Sequence, residues 1–395
     1  MKVRRFGKTL LNLPVLTAGG MRFQASWNGG ETDKVTDEEQ ANVAACLRRA
    51  LELGINHFET ARGYGTSEYQ MGLAMRDLPR EEILLQTKVG LTETGEQFVR
   101  DFDDSLARLQ VDSVDLLAIH GINTHEKLEM TVAAGGCLEA VERLRADGRA
   151  RHVGFSTHGP ADVIVETIAT GRFEYVNLHW FWIDQTRWPA IQAATERDMG
   201  VFIISPSDKG GRLYEPSDKI ARLCEPLSPI AFNDLFCLGY PEVHTISIGA
   251  RRPSDYDEHV RAVEMLDDPK TAGLVGEISR RLDAEIRAVL GDDWCDTWSQ
   301  GLPDWPETPG EVNVPFILWL HNLAKGLDLV SFGKDRYGLL GNAADWVPGK
   351  KLGEIAPSDL TEALRNSPHA EEIPGILAEA HELFVGTEAK PMHEE

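Results

Sequence analysis

The stretch Ile55-Asn-His-Phe-Glu-Thr-Ala-Arg-Gly-Tyr-Gly-Thr-Ser-Glu68 decides how the rest of the chain is read. It opens as a short apolar strand, breaks at Gly63 and Gly65, and restarts as a helix after Ser67, with Glu68 in the first helical position. A strand that runs through a glycine loop into a helix presents its last side chains at the C-terminal end of a parallel sheet. Glu59 and Tyr64 fall at that end. Two later apolar strands also finish on polar residues, Lys88 in Ile83-Leu-Leu-Gln-Thr-Lys-Val89 and His120 in Val114-Asp-Leu-Leu-Ala-Ile-His120. An acid, a tyrosine, a lysine and a histidine, each near a strand end, make a candidate proton-transfer set.

Working outward, the same strand–loop–helix unit recurs. Residues 1–16 read as two short strands joined near Gly7-Lys8 that cap something apolar, and Val15-Leu-Thr-Ala-Gly-Gly20 reads as the first buried strand. Thr36-Asp-Glu-Glu39 has the chemistry of a capping box, and Val43, Cys46, Leu47, Ala50 and Leu51 recur at helical spacing until Gly54. Strand 55–61 then leads to helix 67–78, 83–89 to 96–109, 114–120 to 135–147, and 152–156 to 160–170. Strand 174–181 leads to helix 188–199, 201–205 to a helical region over 216–238, and 243–248 to helix 254–266. Eight such alternations predict an α/β fold, a closed (β/α)8 TIM barrel over 1–266, in place of an open doubly wound sheet. An open sheet with a dinucleotide at its first turn calls for Gly-x-Gly-x-x-Gly, which Ala18-Gly-Gly-Met-Arg-Phe23 lacks.

From 267 the character changes. Helix 269–290 is amphipathic and is followed by the Trp/Pro/Gly-rich passage Asp292-Asp-Trp-Cys-Asp-Thr-Trp-Ser-Gln-Gly-Leu-Pro-Asp-Trp-Pro306. Val314-Pro-Phe-Ile-Leu318 is echoed by Ile373-Pro-Gly-Ile-Leu377, each with proline where a helix begins. Residues 267–395 therefore read as a small, mostly helical C-terminal domain with two related halves.

Composition narrows the function. The 395 residues carry 40 basic and 63 acidic side chains, a net charge of −23, which argues against nucleic acid or an anionic membrane as a general partner. Any anionic cofactor then needs a local basic pocket. Cys46, Cys137, Cys224, Cys237 and Cys295 are odd in number and never in Cys-x-x-Cys spacing, which favours reduced thiols in a cytoplasmic protein over disulfides or a zinc site. Arg4-Arg5 before Leu10-Leu-Asn-Leu-Pro-Val-Leu16 has the outline of a secretion signal, but Asn12 and Pro14 interrupt its apolar part. No apolar run is long enough to cross a bilayer.

Reduction of a carbonyl needs a proton donor at oxygen as hydride reaches carbon. A tyrosine has an ordinary pKa of about 10, which a neighbouring ammonium lowers by favouring the phenolate. A carboxylate paired to that ammonium holds it in place. Glu59, Lys88 and Tyr64 supply that chain, and His120 is placed to orient a substrate oxygen. Each residue also has an ordinary structural reading: a rim tyrosine, a solvated lysine, a satisfied core histidine. Their joint placement at the strand ends of one barrel favours chemistry.

Phe58-Glu-Thr-Ala-Arg-Gly-Tyr-Gly-Thr-Ser-Glu68, Gln86-Thr-Lys88, Val114-Asp-Leu-Leu-Ala-Ile-His120 and the opening Arg5-Phe-Gly-Lys-Thr9 together resemble the signature segments of the aldo-keto reductases, over about residues 1–266. The resemblance implies a (β/α)8 barrel with NADP(H) across its C-terminal face and an Asp-Tyr-Lys-His tetrad. By motif, Tyr64 is the general acid/base, Lys88 its partner, His120 the orienter, and Glu59 stands for the usual Asp. The resemblance further implies cofactor contacts from Gly20, Met21, Ser156 and Asn177, the last in place of Gln, with Thr157 in place of Asn. Ser205, Ser207 and Lys209 lie in the pyrophosphate loop Ser205-Pro-Ser-Asp-Lys-Gly210. Gly249, Arg251, Arg252, Glu258 and His259 lie in the adenosine segment, with His259 in place of Asn. Physically, Arg251-Arg252 before a helix start suits the 2′-phosphate of NADP(H).

One branch of that family carries a ferredoxin-like C-terminal domain. Segments 294–318 and 356–377 resemble its halves, but only Cys295 remains of the cluster cysteines, with Ser358, Ser367 and Pro368 in the second run. One thiolate cannot hold an iron–sulfur cluster, so no metal is expected; an unrelated helical cap is the other reading.

These readings lead to an NADP(H)-dependent oxidoreductase interconverting a carbonyl (aldehyde, ketone or sugar-like) and an alcohol. The alternatives are a catalytically altered nicotinamide-binding barrel with a regulatory or binding role, and a barrel hydrolase or isomerase using Glu59 and His120. Substrate choice is expected from rim loops 24–34, 121–129 and 180–188 and from the tail. There Trp180, Trp182 and Trp188 either line a pocket or pack against the rim.

Overall fold

In the computed structural model, which describes residues 1–353 and 355–386, eight parallel strands hydrogen-bond side to side and close on themselves. They are β1 (Leu16–Gly19), β2 (His57–Glu59), β3 (Leu84–Gly90), β4 (Val114–His120), β5 (Ala150–Ser156), β6 (Tyr175–Leu178), β7 (Gly200–Ile203) and β8 (Thr245–Ile248). Each pairs with its neighbours in sequence, and β8 closes the ring by pairing Ile246 with Leu16. This is the expected (β/α)8 barrel. The strands are apolar because the barrel interior and the helix ring bury both of their faces.

The helices start and stop where local chemistry dictates. Thr36 caps Asp37–Glu52 through the anticipated capping box with Glu39. Leu53 and Gly54 end that helix, Gly54 with φ +78°. The region 216–238 is not one helix. It divides into Asp218–Cys224 and Pro229–Leu238, because Pro226 and Pro229 cannot donate the backbone hydrogen bonds that a continuous helix needs. An additional helix, His125–Val132, precedes Cys137–Ala146 after β4.

The N-terminal hairpin plugs the bottom of the barrel. Val3–Arg5 and Asn12–Pro14 pair antiparallel, and Phe6, Leu11 and Leu13 join Leu116, Ala118, Tyr175, Phe202 and Ile204 in one buried cluster. The fit is close enough to dictate glycine twice. A Cβ at Gly7, whose φ is +53°, would lie 2.4 Å from the Gly200 nitrogen, and one at Gly200 would lie 2.6 Å from the Phe6 ring.

The chain forms two compact units. The first comprises Met1–Gly210 and Ile230–Ala272, the second Gly211–Pro229 and Gly273–Glu395. The second unit therefore takes in a piece of the loop after β7 as well as the tail. It is mostly helical: Thr271–Leu290 enters it, followed by Asp292–Thr297, Val314–Leu327, Val330–Leu339 and Ile373–Phe384. Both echoed segments begin helices with proline in the first turn. Within this unit Trp294 donates its indole N–H to Asn322 at 2.9 Å and packs on the His369 ring at 4.8 Å, so segments 294–318 and 356–377 meet at a tryptophan and a histidine. Among the described residues, no group of three or more His, Cys, Asp or Glu could hold a metal ion, and no helix is long and apolar enough to cross a membrane.

Candidate active site

Alternation along the strands sends every second side chain into the barrel. Because Ala118 and Tyr175 belong to the plugged interior, His120 and Asn177, two residues further on, point inward near the other mouth. Register carries this around the ring: Gly90 pairs with His120, His120 with Ser156, and Ser156 with Asn177. The interior thus grades upward from the hairpin plug, through a buried polar layer (Thr17 2.7 Å from His57, and 2.8 Å from Thr245), to the strand ends.

At those ends Glu59, Tyr64, Lys88 and His120 meet. Lys88 is fully buried, and its ammonium forms an ion pair with Glu59, so the longer carboxylic side chain reaches it. The same ammonium donates to the Thr60 carbonyl at 2.9 Å and to the Tyr64 hydroxyl at 3.1 Å, and lies 4.5 Å from the centre of the Tyr64 ring. The His120 ring stands edge-on to Tyr64, centres 5.9 Å apart at 88°. The Tyr64 loop is fixed from outside by residues 24–34. Thr66 donates its backbone N–H to the Ser26 carbonyl at 2.9 Å, and Gly65, with φ +56°, leaves no room for a Cβ beneath that carbonyl.

Burial sets the protonation states. It raises the Tyr64 phenol above its ordinary value, so the lowering expected from the neighbouring ammonium is outweighed by desolvation, and it lowers the Lys88 ammonium. Burial, followed by the charges of Lys88, Lys209 and Lys127, lowers His120 to about 3, so its imidazole is neutral through the physiological range. The geometry therefore offers a protonated phenol, touched on one side by an ion-paired ammonium and flanked on the other by a neutral imidazole.

The fit to a nicotinamide rests on unanswered polar atoms. The Ser156 hydroxyl and both amide atoms of Asn177 are buried, adjacent in register, and without a hydrogen-bond partner. A hydroxyl beside an amide that can donate and accept suits a carboxamide, and leaving such groups unpaired costs about 1–3 kcal/mol each. Thr157, in contrast, is used by its own loop: it donates to the Ile122 carbonyl at 2.7 Å and accepts from the Gly159 N–H at 2.9 Å.

The remaining sequence-derived positions divide. Gly20 lies under the Tyr64 loop, where a Cβ would meet Met71 sulfur at 2.6 Å, and Met21 beside it is half-buried. Ser205, Ser207 and Lys209 alternate with buried neighbours along the loop after β7, Ser205 in the left-handed conformation. Gly249, Arg251 and Arg252 are exposed after β8, and Arg252 is held by Asp255 at 2.9 Å. Glu258 is half-buried. His259 is turned inward, 4% exposed and 2.5 Å from Asp234. Burial works against its charged form and Asp234 more than offsets this, so its pKa stands above the ordinary value. Its Nδ1 is therefore taken up by Asp234. Trp180, Trp188, Phe236 and Tyr240 pack on one another with ring centres 4.8 to 5.6 Å apart, so Trp180 and Trp188 are packing residues.

Other side chains beside these positions carry no signal of their own in the sequence reading. His158 and His179 converge on Lys209, and Arg22 packs against Gly249. A signal for the histidines was available: each stands two positions beyond Ser156 or Asn177, the two strand-end residues identified.

The aldo/keto reductase family model matches residues 15–179. L-galactose dehydrogenase of Arabidopsis thaliana is 29% identical over 224 residues, covering 53% of this chain and 66% of that protein. L-glyceraldehyde 3-phosphate reductase of Escherichia coli K12 is 28% identical over 177 residues, covering 40% and 46%. The chain thus spans between about half and two thirds of the length of these relatives. Among solved structures, an aldo-keto reductase from Bacillus halodurans in its holo form superposes with a TM-score of 0.59 at 24% identity, covering 71% of this chain and 96% of that one. One from Klebsiella pneumoniae in complex with NADPH superposes with a TM-score of 0.57 at 20% identity, covering 70% and 95%. These structural likenesses speak for the barrel. The matched segment carries Glu59, Tyr64, Lys88 and His120, and over that segment the chain is similar to the aldo/keto reductase family.

Proposed function

We propose that this protein is an NADP(H)-dependent oxidoreductase that interconverts a small-molecule carbonyl and its alcohol, with Tyr64 as the general acid and base. The observation that carries this reading is the Lys88 ammonium, buried, ion-paired to Glu59 and 3.1 Å from the Tyr64 hydroxyl. The names of the relatives, L-galactose dehydrogenase and L-glyceraldehyde 3-phosphate reductase, support the reaction class. The NADPH complex of the Klebsiella protein supports the cofactor.

When bound, a nicotinamide would supply the hydride for the carbonyl carbon or take it from the alcohol carbon. In reduction Tyr64 gives its proton to the carbonyl oxygen as the negative charge develops there, and Lys88 stabilises the phenolate left behind. Glu59 keeps the ammonium charged in a buried site, where desolvation alone would discharge it. Neutral His120 donates an N–H to the same oxygen and fixes its position. Ser156 and Asn177 would hold the carboxamide, and Gly20, Met21, Ser205, Ser207, Lys209, Gly249, Arg251, Arg252 and Glu258 would serve the rest of the dinucleotide. Arg251 and Arg252 suit a 2′-phosphate.

The test is NADPH oxidation, followed at 340 nm with a panel of aldehydes, ketones and sugars, on the wild type and on Tyr64→Phe. Turnover that disappears in the variant, while NADPH still quenches tryptophan fluorescence in both proteins, is the expected result. Quenching in the wild type without turnover of any carbonyl would point instead to a nicotinamide-binding barrel without catalysis.

A further inference from the structure

The loop that fixes Tyr64 from outside contains a chemically labile pair. Asn28-Gly29 is the single Asn-Gly sequence in the 395 residues. Asn28 is exposed and Gly29 half-buried, and both lie outside every helix and strand. The Asn28 side chain folds back along its own backbone. Its Oδ1 accepts from the Gly30 N–H at 3.1 Å, which keeps the amide over the intervening Gly29 peptide. Glycine leaves the Gly29 nitrogen uncrowded by a side chain. When that nitrogen attacks the amide carbon, negative charge develops on Oδ1, where the Gly30 N–H already points.

The rest of the loop explains why the pair is kept and what its loss would do. A Cβ at Gly29 would press on the Arg108 guanidinium and come within 2.9 Å of the Gly65 carbonyl oxygen, so packing on the Tyr64 loop demands glycine. Lys34 first, then Ser26, then the Asn28 amide hold the Glu31 carboxyl below its ordinary range. Ser26 donates its hydroxyl to Glu31 at 2.5 Å and accepts the Asn28 backbone N–H at 3.1 Å. The Ser26 backbone in turn grips the Tyr64 loop: its carbonyl accepts from the Thr66 N–H at 2.9 Å, and its N–H donates to the Thr66 hydroxyl at 3.3 Å.

We propose that Asn28 is a site of spontaneous deamidation whose product loosens the Tyr64 loop. Base removes the Gly29 amide proton, the nitrogen bonds to Asn28 Cγ, and the Cγ–Nδ2 bond breaks; the proton ends on the departing ammonia. Water then opens the cyclic imide at either carbonyl, leaving aspartate or isoaspartate, and nothing is oxidised or reduced. Either product sets a second carboxylate beside Glu31 where an amide donor stood. Isoaspartate also lengthens the main chain by a methylene between Trp27 and Gly29. Both changes draw the Ser26 carbonyl away from Thr66. The modification stands on the loop alone, while its effect on turnover rests on the oxidoreductase reading.

Full-length protein is held at body temperature at mildly alkaline and at mildly acidic pH, and its peptide Phe23–Lys34 is followed by mass spectrometry. The mass gain of amide-to-acid exchange is expected at residue 28, faster in the alkaline sample and as a mixture of aspartate and isoaspartate. Asn28→Ser, which keeps an oxygen acceptor without an amide, should show none. Hydrogen exchange at the Thr66 amide should quicken about tenfold in aged wild type and in fresh Asn28→Asp, the value of one hydrogen bond lost. It should hold steady through the incubation in Asn28→Ser, and kcat for carbonyl reduction should fall in the wild type as the amide is lost. An Asn28 that keeps its amide as long as the other asparagines of the chain overturns the proposal. So does modification that leaves Thr66 exchange unchanged. Protein that modifies and loosens on this schedule but turns over no carbonyl when fresh sustains the proposal and counts against the oxidoreductase reading alone.

Discussion

At the N-terminal mouth of the barrel, Phe6, Leu11 and Leu13 close the interior with apolar side chains fitted so tightly that Gly7 and Gly200 admit no Cβ. At the C-terminal mouth the same strands end in Glu59, Lys88, His120, Ser156 and Asn177, several with buried polar atoms that nothing in the protein answers. One end is built for stability, with its packing complete. The other holds buried charge and unpaired amides, a cost to the fold that a bound ligand offsets. Substitutions at the two ends should therefore separate activity from stability.

The largest effect is expected at the top. Tyr64→Phe keeps the ring and its packing but removes the only proton it can give, so kcat/KM for carbonyl reduction should fall by about 10²–10⁴ with the melting temperature nearly unchanged. Steady-state kinetics beside thermal unfolding measures both. Because burial raises Tyr64, wild-type reduction should stay flat through neutral pH, while alcohol oxidation, which needs the phenolate, should rise into the alkaline range.

Lys88→Met is the substitution that moves both quantities. It removes the partner of Tyr64 and strands the Glu59 carboxylate, buried at 3% exposure, without its cation. Breaking a buried pair in this way costs about 3–5 kcal/mol, and Glu59→Gln combined with Lys88→Met should recover part of the stability and none of the activity.

Phe6→Ala tests the bottom alone. Emptying that site should cost about 3–5 kcal/mol in denaturant unfolding and leave KM for the carbonyl unaltered. A variant that lost activity in proportion to stability would show that the two ends are not independent.

Between the mouths, His57 makes stability depend on pH. It is fully buried, and desolvation holds it at about 3, against 6.5 when unfolded. Between those values the unfolded chain binds a proton that the folded one does not, so stability should fall as pH drops through that window. The fall in denaturation midpoint should be smaller in His57→Gln.

Ser156→Ala should have the smallest effect. The hydroxyl has no partner to lose, so the melting temperature should hold or rise slightly, while KM for NADPH rises several-fold, the value of one hydrogen bond. An unchanged KM would remove Ser156 from the cofactor site.

The barrel was legible because its strands end at glycine loops and its helices begin at caps, signals that act over a few residues. The proton-transfer set was legible for a related reason. A lysine or histidine closing an otherwise apolar strand has few structural explanations, and Lys88 and His120 both do so. What the sequence could not convey depends on contacts between distant segments. His259 looks like a rim residue until Asp234, from another helix, is found against it. Lys209 looks like a lone loop cation until His158 and His179 arrive from the loops after β5 and β6. Trp180 and Trp188 fit a pocket or a core equally well until Phe236 and Tyr240 are placed beside them.

The path of the main chain has a practical consequence. It leaves the barrel unit at Gly210, contributes 211–229 to the helical unit, returns for Ile230–Ala272 and then departs for good. The excursion is knotted into its destination by side chains: Arg212 to Asp335 at 2.6 Å, Lys219 to Asp328 at 3.1 Å, and Ser217 to the Leu327 carbonyl at 3.0 Å. Stopping translation after Ala272 would not yield a trimmed barrel. It would leave residues 211–229, strung between two barrel staves, without their partners, so the helical region is better probed by point changes than by severing it.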